Sequence, residues 1–119
     1  MSKILIVDDE PNIVMALDYA LQKQGFTVLI ARDGQEALDI VKKDIPKVII
    51  LDIMMPKVDG FEVLNQLKSN PKTKDIAVLI LSAKNKAKDI ENGLKAGANE
   101  YLAKPFSTKK LIEKIKSYC

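Results

Sequence analysis

The chain has 119 residues, 47% of them apolar and 29% charged, with a formal net charge of +3. That is the size and balance of one soluble domain with a real core, and the sequence is read as a single domain over residues 1–119. There is no histidine, and the only cysteine is the terminal Cys119, which excludes histidine acid–base catalysis, Ser-His triads, His-ligated zinc and an internal disulfide, and fits a reducing cytoplasm.

Lys3–Val7 is a short apolar run that reads as a strand covered on both faces. Asp8, Asp9 and Glu10 follow at once, then Pro11, which suits the first turn of a helix. Val14, Leu17 and Leu21 recur at helical spacing up to a stop at Gly25. A second strand is expected at Thr27–Ala31. Asp33 and Glu36 form a capping pattern for a helix through Ala37, Leu38 and Val41. Val48–Leu51 is the third strand, and it runs directly into Asp52 and a loop holding Pro56, Asp59 and Gly60. Asp59 and Glu62 repeat the capping pattern before a helix carrying Val63, Leu64 and Leu67. Ala77–Leu81 is the fourth strand and ends at Ser82. A lysine-rich helix follows, with Ala87, Ile90 and Leu94 as its thin apolar stripe. Glu100–Ala103 is a brief fifth strand, then Lys104-Pro105-Phe106. Ser107 caps a last helix through Leu111, Ile112 and Ile115.

Strand and helix thus alternate five times. The pattern predicts an α/β fold with a doubly wound, five-stranded parallel sheet, right-handed crossovers and helices on both faces. No apolar run is long enough to span a bilayer, and the N-terminus does not read as a signal peptide. Charge is uneven: residues 1–59 hold seven Lys/Arg against ten Asp/Glu, and residues 60–119 hold twelve against six. The lysines lie scattered along helical faces without interleaved aromatics, the pattern of a solvated surface and not of direct nucleic-acid binding.

In open parallel sheets, ligands bind at the carboxyl ends of the strands. Those ends carry Asp8 and Asp9, then Asp52, Ser82 and Lys104, so acids, a hydroxyl and a lysine are expected in one crevice. Each has a plain structural alternative as a helix cap, turn residue or surface lysine. It is their recurrence at strand ends that points to a site. Crowded carboxylates repel unless a cation sits among them, and an all-oxygen set favours Mg²⁺. Asp52 then suits a phosphoryl-accepting nucleophile, with Ser82 and Lys104 on the phosphoryl oxygens.

The segments ILIVDDE, VIILDIMMPKVDG, LILSAK and GANEYLAKPF together resemble the receiver domain of two-component response regulators, in register over essentially the whole chain. The resemblance implies a flavodoxin-like sheet in the order 2-1-3-4-5. It implies Asp52 as phospho-acceptor and Asp8, Asp9, Asp52 and the Met54 backbone carbonyl as ligands of Mg²⁺, with Mn²⁺ as a substitute. Ser82 and Lys104 bind the phosphoryl group, Tyr101 is the switch aromatic, and the Lys104-Pro105 peptide is cis. Met54 and Lys84 are positions that tune phosphoryl lifetime.

By the same resemblance the chain is no enzyme beyond its own phosphorylation and dephosphorylation. Its donor is a sensor histidine kinase or histidine phosphotransfer protein, docked through Ile13 and Phe106 unless these are core residues. Output is expected from the fourth helix, fifth strand and fifth helix, toward an unidentified protein target, as a monomer or a phosphorylation-dependent dimer. A cytoplasmic single-domain regulator is the expectation. The alternatives are a receiver piece of a longer DNA-binding regulator, a haloacid-dehalogenase-like Mg²⁺ phosphatase and a flavodoxin-like electron carrier. The phosphatase needs a second acid where Met54 stands, and the electron carrier needs a hydroxyl-rich loop where Asp8-Asp9-Glu10 stands.

Overall fold

The structure is a computed structural model and describes residues 2–54, 59–84 and 86–119; Pro56 lies outside the described residues. Strand and helix alternate as β1 Lys3–Val7, α1 Pro11–Lys23, β2 Thr27–Ala31, α2 Gly34–Lys43, β3 Val48–Leu51, α3 Gly60–Ser69, β4 Ala77–Ser82, α4 Ala87–Lys95, β5 Glu100–Ala103 and α5 Thr108–Ser117. All strand pairs are parallel, in the order β2-β1-β3-β4-β5, as the resemblance implied. Apolar runs this short, free of Gly and Pro and rich in Ile, Val and Leu, gain most as strands covered on both faces.

Alternate residues of each strand enter two separate cores. Leu5, Val7, Ile49, Leu51, Val78 and Ile80 face α2, α3 and α4, while Ile4, Ile6, Val48, Ile50, Leu79 and Leu81 face α1 and α5. The helices answer with single stripes, such as Val14, Leu17 and Leu21 on α1 and Leu111 and Ile115 on α5. Each fully buried Leu or Ile contributes about 1.5–3 kcal/mol, so the central strands carry much of the fold's stability.

Helix starts follow the sequence signals. Asp33 Oδ1 accepts from the Glu36 N–H at 2.9 Å, Asp59 Oδ1 from Glu62 at 3.0 Å and Ser107 Oγ from Lys110 at 3.3 Å. Each such cap contributes about 1 kcal/mol. α1 starts differently: Glu10 stands at its N-cap with no side-chain capping bond, and Pro11 fixes the first turn. Gly97, at φ 111°, turns the chain from α4 into β5.

α4 departs from expectation. Leu94 was expected in its buried stripe but is 45% exposed, and the buried residue of this helix is Gly93. A Cβ placed on Gly93 would lie 2.7 Å from Tyr101 Cδ2 and 3.0 Å from Ile80 Cδ1. The helix therefore rests its bare backbone against the Tyr101 ring. The ring fills the space that a helix side chain would otherwise occupy, and Leu94 is turned toward solvent.

Candidate functional site

Strand register builds the site. Val7 pairs with Leu51 across β1 and β3, so Asp8 and Asp52 leave the sheet at one level. Their backbones continue the ladder by one rung: the Asp8 N–H donates to the Ala31 carbonyl at 3.1 Å and the Asp52 N–H to the Val7 carbonyl at 2.9 Å. On the other side, Ser82 pairs with Ala103, and the Lys104 N–H donates to the Ser82 carbonyl at 2.9 Å. The same hydrogen bonds that hold the sheet therefore fix the backbone of each chemical residue. The Lys104-Pro105 peptide is cis.

The side chains meet at the ammonium of Lys104. Its Nζ donates to Glu10 Oε1 at 2.8 Å, Asp8 Oδ2 at 3.0 Å and Asp52 Oδ2 at 3.4 Å. Asp8 and Asp52 are both buried, while Glu10 remains 56% exposed. The second oxygens are taken locally: Asp8 Oδ1 accepts from the Glu10 N–H at 2.9 Å and Asp52 Oδ1 from the Met54 N–H at 3.0 Å. Burial pushes the Asp52 carboxyl up from the ordinary range, against the Met54 N–H and the Lys104 charge, with Asp8 adding repulsion. Burial alone would pull the Lys104 ammonium down. Its bonds to Glu10 and Asp8 and the charge of Asp52 outweigh that, and it stays firmly protonated.

Asp8, Glu10 and Asp52 each offer an oxygen within 4.8 Å of the others, the one such acidic group among the described residues. Asp9, by contrast, is exposed and its carboxylate is not part of that group. It does line the adjoining crevice of about 270 Å³, together with Glu10, Asp52, Met54, Ala83 and Lys104. Glu10 is not among the strand-end residues that the sequence marks as a site. Its only local signal was its place in an unbroken run of three acids.

Ser82 is fully buried, and its Oγ accepts from the Lys84 N–H at 3.1 Å. The Lys84 carbonyl in turn accepts from the Tyr101 hydroxyl. The Lys84 backbone thus links the strand-end hydroxyl to the aromatic ring, while the residue itself is exposed. Tyr101 is half-buried, and burial raises its phenol above the ordinary value; the neighbouring Ser82 hydroxyl works the other way, and Asp89 and Asp52 add to the rise. Ile13 and Phe106 are half-buried against the core under α1 and α5. The Met54 side chain is 54% exposed at the crevice.

The response regulator receiver domain family matches residues 4–116 of the chain. The chain belongs to this family. The alkaline phosphatase synthesis transcriptional regulatory protein PhoP of Bacillus subtilis is 42% identical over 115 residues, 97% of this chain and 47% of that protein. The response regulator MprA of Mycolicibacterium vanbaalenii is 39% identical over 97% of this chain and 49% of its own length. The receiver domain spans about half the length of these curated relatives. Among solved structures, the Vibrio cholerae chemotaxis protein CheY4 superposes with a TM-score of 0.93 at 32% identity, over 100% of this chain and 99% of that one. The BeF3-activated DrrB receiver domain gives 0.90 at 29% identity, over 99% and 97%.

The receiver domain is a phosphorylation-dependent signalling switch, and its Asp8, Glu10 and Asp52 carboxylates gather around the Lys104 ammonium as an acidic cluster of the oxygen type that binds divalent cations. Among the described residues no helix is long and apolar enough to cross a membrane.

Proposed function

We propose that Asp52 is the phospho-acceptor of this receiver domain and that the ends of β1, β3, β4 and β5 are its transfer machinery. The observation that carries this is the buried Asp52 carboxylate, held at the end of β3 with the Lys104 ammonium 3.4 Å away. A carboxylate oxygen of Asp52 attacks phosphorus while the bond from phosphorus to the donor's imidazole nitrogen breaks, and the electron pair leaves with that nitrogen. The Ser82 hydroxyl and the Lys104 ammonium then meet the oxygens of the transferred group.

The donor set fits Mg²⁺, since every ligand atom on offer is a carboxylate or carbonyl oxygen. Asp9, Asp52 and the Met54 carbonyl would hold the ion, with Asp8 contributing through water, and Mn²⁺ would fit the same set. Lys104 is bonded to Asp8 and Glu10 and, at longer range, to Asp52, and Asp9, Asp52 and Met54 line the same crevice within reach of one ion. Bound Mg²⁺ would supply positive charge to the phosphoryl oxygens.

With no histidine in these 119 residues, the donor histidine lies outside them, on a sensor histidine kinase or a histidine phosphotransfer protein. Ile13 and Phe106, half-buried on neighbouring elements, support a docking patch there. Tyr101 carries the change to α4, β5 and α5, the face that controls a protein target in the cytoplasm. Met54, which lines the crevice, and Lys84, two residues past Ser82, tune how long the phosphoryl group survives. The name of PhoP, a transcriptional regulatory protein, supports a second context, in which this domain regulates an attached DNA-binding segment.

Intact mass after incubation with Mg²⁺ and a small acyl phosphate tests the proposal. One phosphoryl adduct is expected on the wild type and none on Asp52→Asn. An equal adduct on both would remove Asp52 from the role.

A further inference from the structure

We propose that Gly93 is the positioning residue of the switch: its bare Cα is the seat on which the Tyr101 ring lies, so ring position and α4 packing are a single variable. This rests on the reading of Tyr101 as the switch aromatic and adds the element that the ring acts upon.

Three observations carry it. A Cβ on Gly93 would approach Tyr101 Cδ2 to 2.7 Å and Cε2 to 3.0 Å, closer than carbon atoms pack. Gly93 is also the buried residue of α4, whose other apolar residues leave Leu94 exposed and Ile90 half-buried. The buried point of the helix therefore sits against the Tyr101 ring, with Ile80 beside it. Finally, the ring's hydroxyl is bonded to the Lys84 carbonyl, and the Lys84 N–H is bonded to Ser82 Oγ. A rearrangement at Ser82 thus reaches the Lys84 peptide, then the ring, then the backbone of α4 at Gly93. A ring that leaves this seat opens a gap beneath α4, and the helix must shift to close it. A ring that stays fixes the helix where it is.

Glycine is a poor choice inside a helix, since alanine there is intrinsically favoured. Its presence in mid-helix needs a steric reason, and the ring supplies one. This gives the proposal a test with a change of sign. In the wild-type background Gly93→Ala should lower the thermal midpoint by roughly 5 °C or more through overpacking. In a Tyr101→Ala background, where the ring is gone, the same substitution should raise the midpoint by a few degrees through helix propensity. In a Tyr101→Phe background it should again lower it, because the ring and not the hydroxyl makes the clash. A loss of equal size in all three backgrounds would place the clash on Ile80 and overturn the proposal.

A second readout addresses the switch. NMR of ring-labelled tyrosine should show Tyr101 in contact with the Ile80 methyl in the wild type, and that contact should vanish in Gly93→Ala. Beryllofluoride with Mg²⁺ should shift the Tyr101 ring and α4 amide signals in the wild type, and the α4 response should be lost in Gly93→Ala. An unchanged α4 response in that variant would overturn the coupling. Failure of Asp52 to accept a phosphoryl group would be read separately by intact mass, and would leave the sign-change result intact.

Discussion

Lys104 Nζ lies 3.0 Å from Asp8 Oδ2, joining residues 96 positions apart in the chain, and both side chains are almost fully buried. Breaking a buried pair on one side leaves an uncompensated charge. Lys104→Met should therefore destabilise the domain by on the order of 3 kcal/mol in the absence of divalent cations. Millimolar Mg²⁺ should recover part of that loss and raise the midpoint of the variant more than that of the wild type, because a cation then replaces the missing ammonium. Thermal unfolding with EDTA and with Mg²⁺ decides it. Equal Mg²⁺ shifts in the two proteins would show that lysine and metal do not share a field.

Asp9 and Glu10 are adjacent in sequence but face different tasks. Both line the crevice, but the Glu10 carboxylate is bonded to Lys104 and belongs to the cluster with Asp8 and Asp52, whereas the Asp9 carboxylate lies outside that cluster. Asp9→Asn is expected to weaken Mg²⁺ binding by about tenfold or more, ~1.4 kcal/mol. Glu10→Gln should change it far less, and should alter stability by under about 1 kcal/mol because Glu10 is largely exposed. Calorimetric titration of Mg²⁺ into both variants compares them directly; a larger loss in Glu10→Gln would move the metal into the Asp8, Glu10 and Asp52 group.

Gly60 opens α3 directly beneath the site. A Cβ there would fall 2.3 Å from Ile53 Cα and 2.8 Å from the Asp52 carbonyl oxygen, and neither backbone atom can swing aside. Gly60→Ala should cost about 1–3 kcal/mol and slow acyl-phosphate labelling of Asp52, since the segment that carries the carboxylate must move. Chemical denaturation and timed intact-mass labelling give the two numbers. A variant that loses stability but labels at the wild-type rate would show that the strain is absorbed by α3.

The Tyr118 hydroxyl donates to Glu100 Oε2 at 2.6 Å, and Lys114 Nζ lies 3.2 Å from Oε1, tying the end of α5 to the start of β5. The Tyr118 bond, opposed by burial and reinforced by Lys114, holds the Glu100 carboxyl below its ordinary range. A depressed acid contributes stability above its unfolded pKa and loses it as pH falls through the folded one. Tyr118→Phe should therefore cost about 0.5–1.5 kcal/mol at neutral pH, with the cost shrinking as acid protonates Glu100. On the alkaline side the bond to Glu100 raises the Tyr118 phenol. That contribution is present below the ordinary tyrosine pKa and fades as pH rises through the folded one. Denaturation midpoints of both proteins across acid, neutral and alkaline pH test this; a difference that does not vary with pH would make the contact one of packing only.

Elements with local causes were legible in the sequence. Four of the five strands follow from short Ile, Val and Leu runs, and Asp33, Asp59 and Ser107 were readable as caps because the capping bond each makes reaches only three residues ahead. Asp8, Asp52, Ser82 and Lys104 could be placed together because each ends a run, and parallel strands bring their ends to one edge. α4 was misread because Gly93 has no hydropathy to register, while Leu94 at helical spacing does. Glu10 was missed because its partner Lys104 is 94 residues away.

By itself, then, the sequence determined which segments become strands and helices, where the helices start, and which chemical groups stand at the strand ends, all of them consequences of neighbours a few residues apart. The tertiary structure decided the rest: that one ammonium gathers Asp8, Glu10 and Asp52, that Asp9 faces the open crevice, and that the Tyr101 ring takes the place of a side chain on α4. Those relations depend on strand register and on the close approach of distant backbones, which exist only once the sheet has formed.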